Sequence, residues 1–170
     1  MADRLTPADV GCWVIKTRLP PEQIRPGWLR GSTRALSRCV RRSYRLELMA
    51  PGQPCLLWLS GRQDPGVQAI GTVTAAPQLP EDRVSAGARV VADDPEPAVM
   101  LSLHLLREPV ERRSLLGDPL LAGSEVLRMP AGSNPSFLSP ERFSALLDLL
   151  SPHDLADSGW ADPRVGPTQG

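Results

Sequence analysis

Seven arginines, at 25, 30, 34, 38, 41, 42 and 45, stand between Glu22 and Glu47 with no carboxylate among them, in a chain whose formal net charge is zero. Clustered like charges repel and add little to folding, so a segregated run of this kind points to a face that binds anions. A tryptophan, Trp28, heads the run in the loop "RPGW". A flat ring in a loop offers a stacking surface, on which a nucleobase gains roughly 1–3 kcal/mol. Trp28 therefore reads in two ways: as the wall of a pocket with arginines tracking phosphates beside it, or as a core tryptophan. Trp13, inside an apolar strand pattern, reads as core, while Trp58 is open between core and pocket. The arginine face also has a second reading, as the contact of a protein-interaction module for an acidic partner.

Catalytic constellations are harder to find. The chain carries no G-x-S-x-G elbow, no glycine-rich phosphate loop and no H-E-x-x-H. His104 lies in an apolar run, where it reads as a satisfied core histidine rather than a base, with an enzyme built on Cys39 or His104 as the weakest alternative. Cys12, Cys39 and Cys55 are an odd set without C-x-x-C spacing, which argues against a disulfide framework or a zinc site. A protein without catalysis, metal or cofactor is expected. The N-terminus "MADRLTPADV" lacks the pattern of a signal peptide, and no run approaches the ~18 apolar residues of a membrane span. The expected location is cytoplasmic, with no membrane partner.

These groups need elements to hold them. Alternation in "CWVIKT", 12–17, predicts a strand that ends at the Pro20-Pro21 pair. Ser32 or Thr33 is expected to cap a helix that places Arg34, Arg38, Arg41 and Arg45 in one stripe, with Leu36, Cys39 and Val40 inward. "PCLLWLSG" and "VQAIGTVTA" read as a hairpin at the centre of the sheet, joined by the loop "RQDPG". Residues 77–97 read as a loop with one weak strand, "ARVVA"; 98–106 are a strand or a buried helix segment. A short helix after Pro109 should stop at Gly117, with a new turn at Asp118-Pro119. "SEVLRMP" reads as a last strand and "AGSNPSFL" as a loop. Ser139 and Pro140 open a terminal helix whose inward stripe is Phe143, Leu146, Leu147 and Leu150. The expected organisation is an arm over 1–10, one domain over 11–152 and a flexible tail over 153–170. Its class is α+β, with a curved sheet or open barrel flanked by helices.

"CWVIKT", then "GW" and a polar turn, "MAPGQPCLLWLSG" followed by "GVQAIGTV", and "GSNPSFLSPERFSALL" together resemble an EVE domain. EVE domains belong to the PUA-like superfamily and are related in fold to the YTH domains that read methylated adenine in RNA. The resemblance spans about residues 11–150. It implies a PUA-like curved mixed sheet and a pocket for a flipped-out, modified nucleobase in DNA or RNA. It also implies a setting in defence or RNA regulation, where a protein partner is expected. Lys16 and Thr17 match the Lys-Thr end of the family's first strand, and Trp58 and Ser60 match the end of its middle strand. Trp28 corresponds to the tryptophan that lies against the methylated base in YTH relatives. On this basis the base pocket comprises Lys16, Thr17, Trp28, Ser32, Thr33, Trp58, Ser60 and Asn134, the Ser32 and Thr33 hydroxyls facing a base edge. Arg30, Arg34, Arg38, Arg41 and Arg42 are the expected phosphate contacts. The chain departs from the family pattern at Arg18 and Leu19, where many members carry an acidic residue and proline, and at Leu29–Thr33, where many carry a Gly-Val-Arg-Asn-like turn. Residues 74–136 contain no Trp, Tyr or Phe to complete a methyl cage.

Overall fold

The computed structural model describes residues 4–78 and 96–160. Strand β1 (Cys12–Thr17) is buried along almost its whole length, as a strand covered on both faces must be. It runs parallel to β3 (Pro54–Leu59), with Trp13 opposite Cys55 and Thr17 opposite Leu59. The hairpin reading holds: β3 pairs antiparallel with β4 (Gly66–Gln78), and the two lie in the middle of a six-stranded mixed sheet of order β2-β5-β4-β3-β1-β6. Residues 98–106 belong to a strand, β5 (Ala98–Glu111), and "SFL" within the expected loop forms the short strand β6 (Ser136–Leu138) against β1.

The arginine segment corrects the sequence reading. Thr33–Cys39 is β2, an edge strand paired with β5 from Thr33 opposite His104 to Cys39 opposite Ala98. No helical stripe forms. Arg34 and Arg38 share a face of this strand with Leu36, Arg41 and Arg42 follow it in the connection, and Arg45 sits in the 3-10 turn Tyr44–Leu48. Leu36 reaches the core, and the ladder to β5 overrides a local preference for helix that was never large.

The helices after β5 line one face of the sheet, whereas α1 (Pro21–Ile24), a single turn between β1 and β2, packs through Ile24 on the other. Helix α2 (Arg112–Leu116) ends at Gly117 as expected. Asp118 Oδ1 accepts from the amides of Leu120 and Leu121, which opens the next turn. Glu125–Arg128 is helix α3 instead of the expected strand. In α4 (Pro140–Leu147) Ser139 caps the N-terminus, accepting from the Arg142 amide at 3.3 Å. Residues 153–160 are not a loose tail. Ser151 caps a further helix, α5 (Pro152–Ser158), and Trp160 is buried, with Nε1 donating to the Gly71 carbonyl at 2.6 Å and its ring edge-on to Phe143 at 4.9 Å. A Cβ at Gly71 would collide with the Ser102 carbonyl, so glycine is required where β4 approaches β5. The weak strand expected at "ARVVA" and residues 161–170 lie outside the described residues.

The sheet separates two apolar clusters. Trp58, Ile70, Leu106, Phe143, Leu146 and Trp160 pack between the sheet and α2–α5. Trp13, Ile15, Trp28, Leu36, Leu57 and Leu101 fill the other side. The sheet curls around that second cluster, so the segment after β2 reaches the segment before β6, where Arg41 N donates to the Asn134 carbonyl at 2.7 Å. No helix among the described residues is long and apolar enough to cross a membrane.

Candidate nucleic-acid interface

Because β1 and β3 are parallel, their C-terminal ends finish side by side, and Ser60 N donates to the Thr17 carbonyl at 2.8 Å just beyond them. A cavity of about 970 Å3 opens at this end. Its floor is Lys16, Thr17, Leu59 and Ser60. One wall is Arg18, Pro20, Glu22 and Gln23 around α1, and a second is Gly61–Asp64 in the β3–β4 connection. Pro130–Gly132, Asn134 and Arg41 complete it.

Each floor group is held by a definite contact. The Asn134 side chain acts as a strand neighbour: Oδ1 accepts from Lys16 N at 3.1 Å and Nδ2 donates to the Lys16 carbonyl at 3.4 Å. This pins the 130–134 wall to β1. Lys16 Nζ donates to the carbonyls of Pro130 at 3.2 Å and Met129 at 3.4 Å. Burial lowers the Lys16 pKa, against the raising pull of Glu125, and the neighbouring charges of Arg41 and Arg45 lower it further. The Thr17 hydroxyl is engaged, donating to the Leu19 carbonyl and accepting from Leu19 N and from Arg38 Nη2 at 3.1 Å. Ser60 differs. Its hydroxyl has no hydrogen-bond partner among the described residues, which leaves it open to a ligand. Behind the 130–134 wall, Arg45 donates to both Glu125 carboxylate oxygens at 2.8 and 2.9 Å, and Ser136 Oγ donates at 2.7 Å. Burial pushes the Glu125 pKa up, but these hydrogen bonds outweigh it and hold the carboxyl below its ordinary value.

Of the expected site residues, the cavity brings together Lys16, Thr17, Ser60, Asn134 and Arg41. Trp28 is not at its wall. The ring is 5% exposed in the second apolar cluster, with Nε1 donating to the Ser32 carbonyl at 3.1 Å, so the core reading is the one the packing supports. Ser32 Oγ donates to the Leu29 carbonyl, and Thr33 lies on the far side of β2, opposite His104. Trp58 packs in the first cluster under the helices, and Trp13 is fully buried with Nε1 donating to Gln53 at 2.8 Å. None of the lining residues is aromatic. Arg30 is tied to the Leu106 carbonyl, Arg38 borders the cavity through Thr17, and Arg34 and Arg42 are exposed beyond it.

Sequence reasoning missed Arg18, Glu22, Gln23, Arg62 and Asp64, which all line the cavity. Their signal is topological. Once β1 and β3 are known to be parallel, the loops after both must converge, a step that strand patterns alone do not provide. The lining thus contains four cations, Lys16, Arg18, Arg41 and Arg62, against two carboxylates, Glu22 and Asp64. None of these six forms an ion pair among the described residues. Such a site attracts an anion and offers guanidinium planes for stacking.

No family model matches the chain, and no curated protein matches it significantly. Solved structures do. A Pseudomonas putida protein superposes with a TM-score of 0.57 at 16% identity, covering 81% of this chain and 98% of that one. The DUF55 domain of human thymocyte nuclear protein 1 gives 0.52 at 14% identity, over 81% of this chain and 97% of that one. Human THYN1 in complex with 5-methylcytosine-containing DNA gives 0.51 at 15% identity, over 81% and 96%. The chain shares the α+β fold of the DUF55 domain.

Proposed function

We propose that this protein is an EVE-type nucleic-acid-binding domain that receives a modified, flipped-out base in the cavity at the ends of β1 and β3, without catalysing a reaction on it. The observation that carries the reading is the cationic cavity itself. At about 970 Å3 it has room for a nucleotide, and its arginines lie where a base and its flanking phosphates would enter. The shared fold with a THYN1 structure that contains 5-methylcytosine DNA supports the choice of ligand class. In this reading Arg18, Arg41 and Arg62 replace the missing tryptophan as stacking and phosphate-contacting groups, and the free Ser60 hydroxyl meets the base edge. Arg38, Arg34 and Arg42 continue the phosphate path outside. A role without chemistry fits the placement of the reactive groups. His104 is buried against Asp154 away from the cavity, and burial pushes the thiols of Cys12 and Cys55 up.

The test is fluorescence anisotropy with single-stranded and duplex oligonucleotides, DNA and RNA, that carry one 5-methylcytosine or an unmodified cytosine. The modified strand should bind more tightly, and Arg41→Glu should weaken both by a similar factor, about tenfold, with a flatter salt dependence. Ser60→Ala should weaken both strands by about fivefold, the value of one lost hydrogen bond to the base edge that cytosine and 5-methylcytosine share, without flattening the salt dependence. Equal affinity of the wild-type protein for both strands, or none for either, would overturn the reading for this base.

A further inference from the structure

Strand β2 leaves one edge of its backbone open. In an antiparallel pair, alternate residues exchange hydrogen bonds with the neighbour and the rest point away. The parity here is fixed at both ends of the strand: Val40 N donates to the Pro97 carbonyl, and Ser32 O accepts from Leu105 N. With the register of Arg34 on Leu103, Leu36 on Leu101 and Arg38 on Val99, the even-numbered residues face β5. The peptide groups of Thr33, Ala35, Ser37 and Cys39 therefore point outward, and all four residues are exposed. Among the described residues the only hydrogen bond to these groups is from Arg34 Nη1 to its neighbour's carbonyl, Thr33 O, at 3.2 Å. The edge carries no proline and no bulge, so its only guards against strand addition are the charges of Arg34 and Arg38.

The side chains specify the occupant. An incoming strand would bond to the odd-numbered residues, so Arg34, Leu36 and Arg38 would stand at the non-hydrogen-bonded positions, where cross-strand side chains approach most closely. Arg38 makes no ion pair, and its Nε is buried without a hydrogen-bond partner. Arg34 has no carboxylate beside it either. A second copy of β2 would bring arginines against arginines, which is unfavourable. A strand with carboxylates four residues apart would satisfy both. We propose that the open edge of β2 receives an extended acidic peptide of a partner protein by strand addition, with acids opposite Arg34 and Arg38 and an apolar residue opposite Leu36. This goes beyond the base-reading function and does not depend on it.

The probe is the labelled peptide Thr-Glu-Thr-Val-Thr-Glu-Thr, blocked at both ends, whose palindromic order serves either strand direction and matches the seven residues of β2. It is titrated against the full chain in the absence of nucleic acid. Saturable binding is expected, with new hydrogen-exchange protection at the amides of Ala35, Ser37 and Cys39 and none added at Leu36; the lysine analogue should not bind. Ser37→Pro removes an outward N–H that β5 does not use and should weaken binding by about tenfold. Arg34→Glu, on an exposed side chain, should abolish the preference for the glutamate over the lysine peptide, because Arg38 still repels lysine while the new glutamate repels glutamate, and it keeps the test alive if the proline variant misfolds. No binding at millimolar peptide, binding without protection at the three amides, or a folded Ser37→Pro that binds as well as wild type would each overturn the proposal.

Discussion

Trp28→Ala is expected to lower the stability of the domain by about 3–5 kcal/mol, the usual cost of truncating a large buried aromatic side chain. The ring lies with Trp13, Ile15 and Leu36 in the cluster enclosed by the curled sheet, so its removal opens a cavity lined by elements that cannot readily move. Leu105 N still donates to the Ser32 carbonyl, but the second hydrogen bond, from the indole, is lost. For a domain of this size the loss corresponds to a fall in Tm of roughly 6–20 °C. Trp28 does not line the cavity, so the folded fraction of the variant should keep its affinity for oligonucleotides. Thermal and denaturant unfolding, measured beside anisotropy on the same sample, separate the two roles. An unchanged Tm with lost binding would return Trp28 to the ligand site and require the loop at 25–32 to open.

What the sequence made legible, and what it hid, follows from how each element is stabilised. β1, the β3–β4 hairpin and α4 carry their own signals, because alternation, turn residues and the Ser139-Pro140 cap are local. β2 carries a misleading one. Arg34, Arg38, Arg41 and Arg45 match helical spacing, and the face of "TRALSRC" that turns inward holds two arginines around a single leucine, while the outward face is small and uncharged. That is the reverse of the usual half-buried strand, and only the pairing with β5 reveals it. α5 was readable in part. Ser151-Pro152 repeats the cap of Ser139-Pro140, with Ser151 Oγ accepting from Asp154 N at 3.1 Å. The signals that dock this helix, one aspartate and one tryptophan, have no periodicity. The cavity lay further from view, since its arginines and acids come from three loops that converge only through the parallel β1–β3 pair.

Asp154 shows what such a lone residue can carry. Its side chain is almost fully buried beneath α5, where the carboxylate accepts from His104 Nε2 and Arg107 Nη1, both at 2.8 Å, from Arg107 N, and from the Ser151 hydroxyl. Asp154→Ala leaves these donors without their common acceptor. Arg107 is half exposed and can turn to water, whereas His104 cannot, so the expected cost is about 3 kcal/mol. The same contacts make a pH signature. Burial alone would raise the Asp154 pKa, but the hydrogen bonds from His104, Ser151 and Arg107 outweigh it and hold it below 3.8 in the folded protein. The unfolded chain then binds the proton more readily than the native one, so the stabilisation is fully present above the unfolded value and is lost as pH falls through the lower folded value. Glu125 is lowered too but has no contact with Asp154 and drops out of the difference, whereas the exposed Asp157, which shares Arg107 with Asp154 and is raised by its charge, leaves only a small residual. The stability gap between wild type and Asp154→Ala, from urea unfolding, should therefore be constant between about pH 7 and pH 5 and shrink by about pH 2.5. A gap that stayed constant to that pH would mean that Asp154 titrates alike in the folded and unfolded chains, and that α5 is held by the packing of Trp160 rather than by the buried carboxylate.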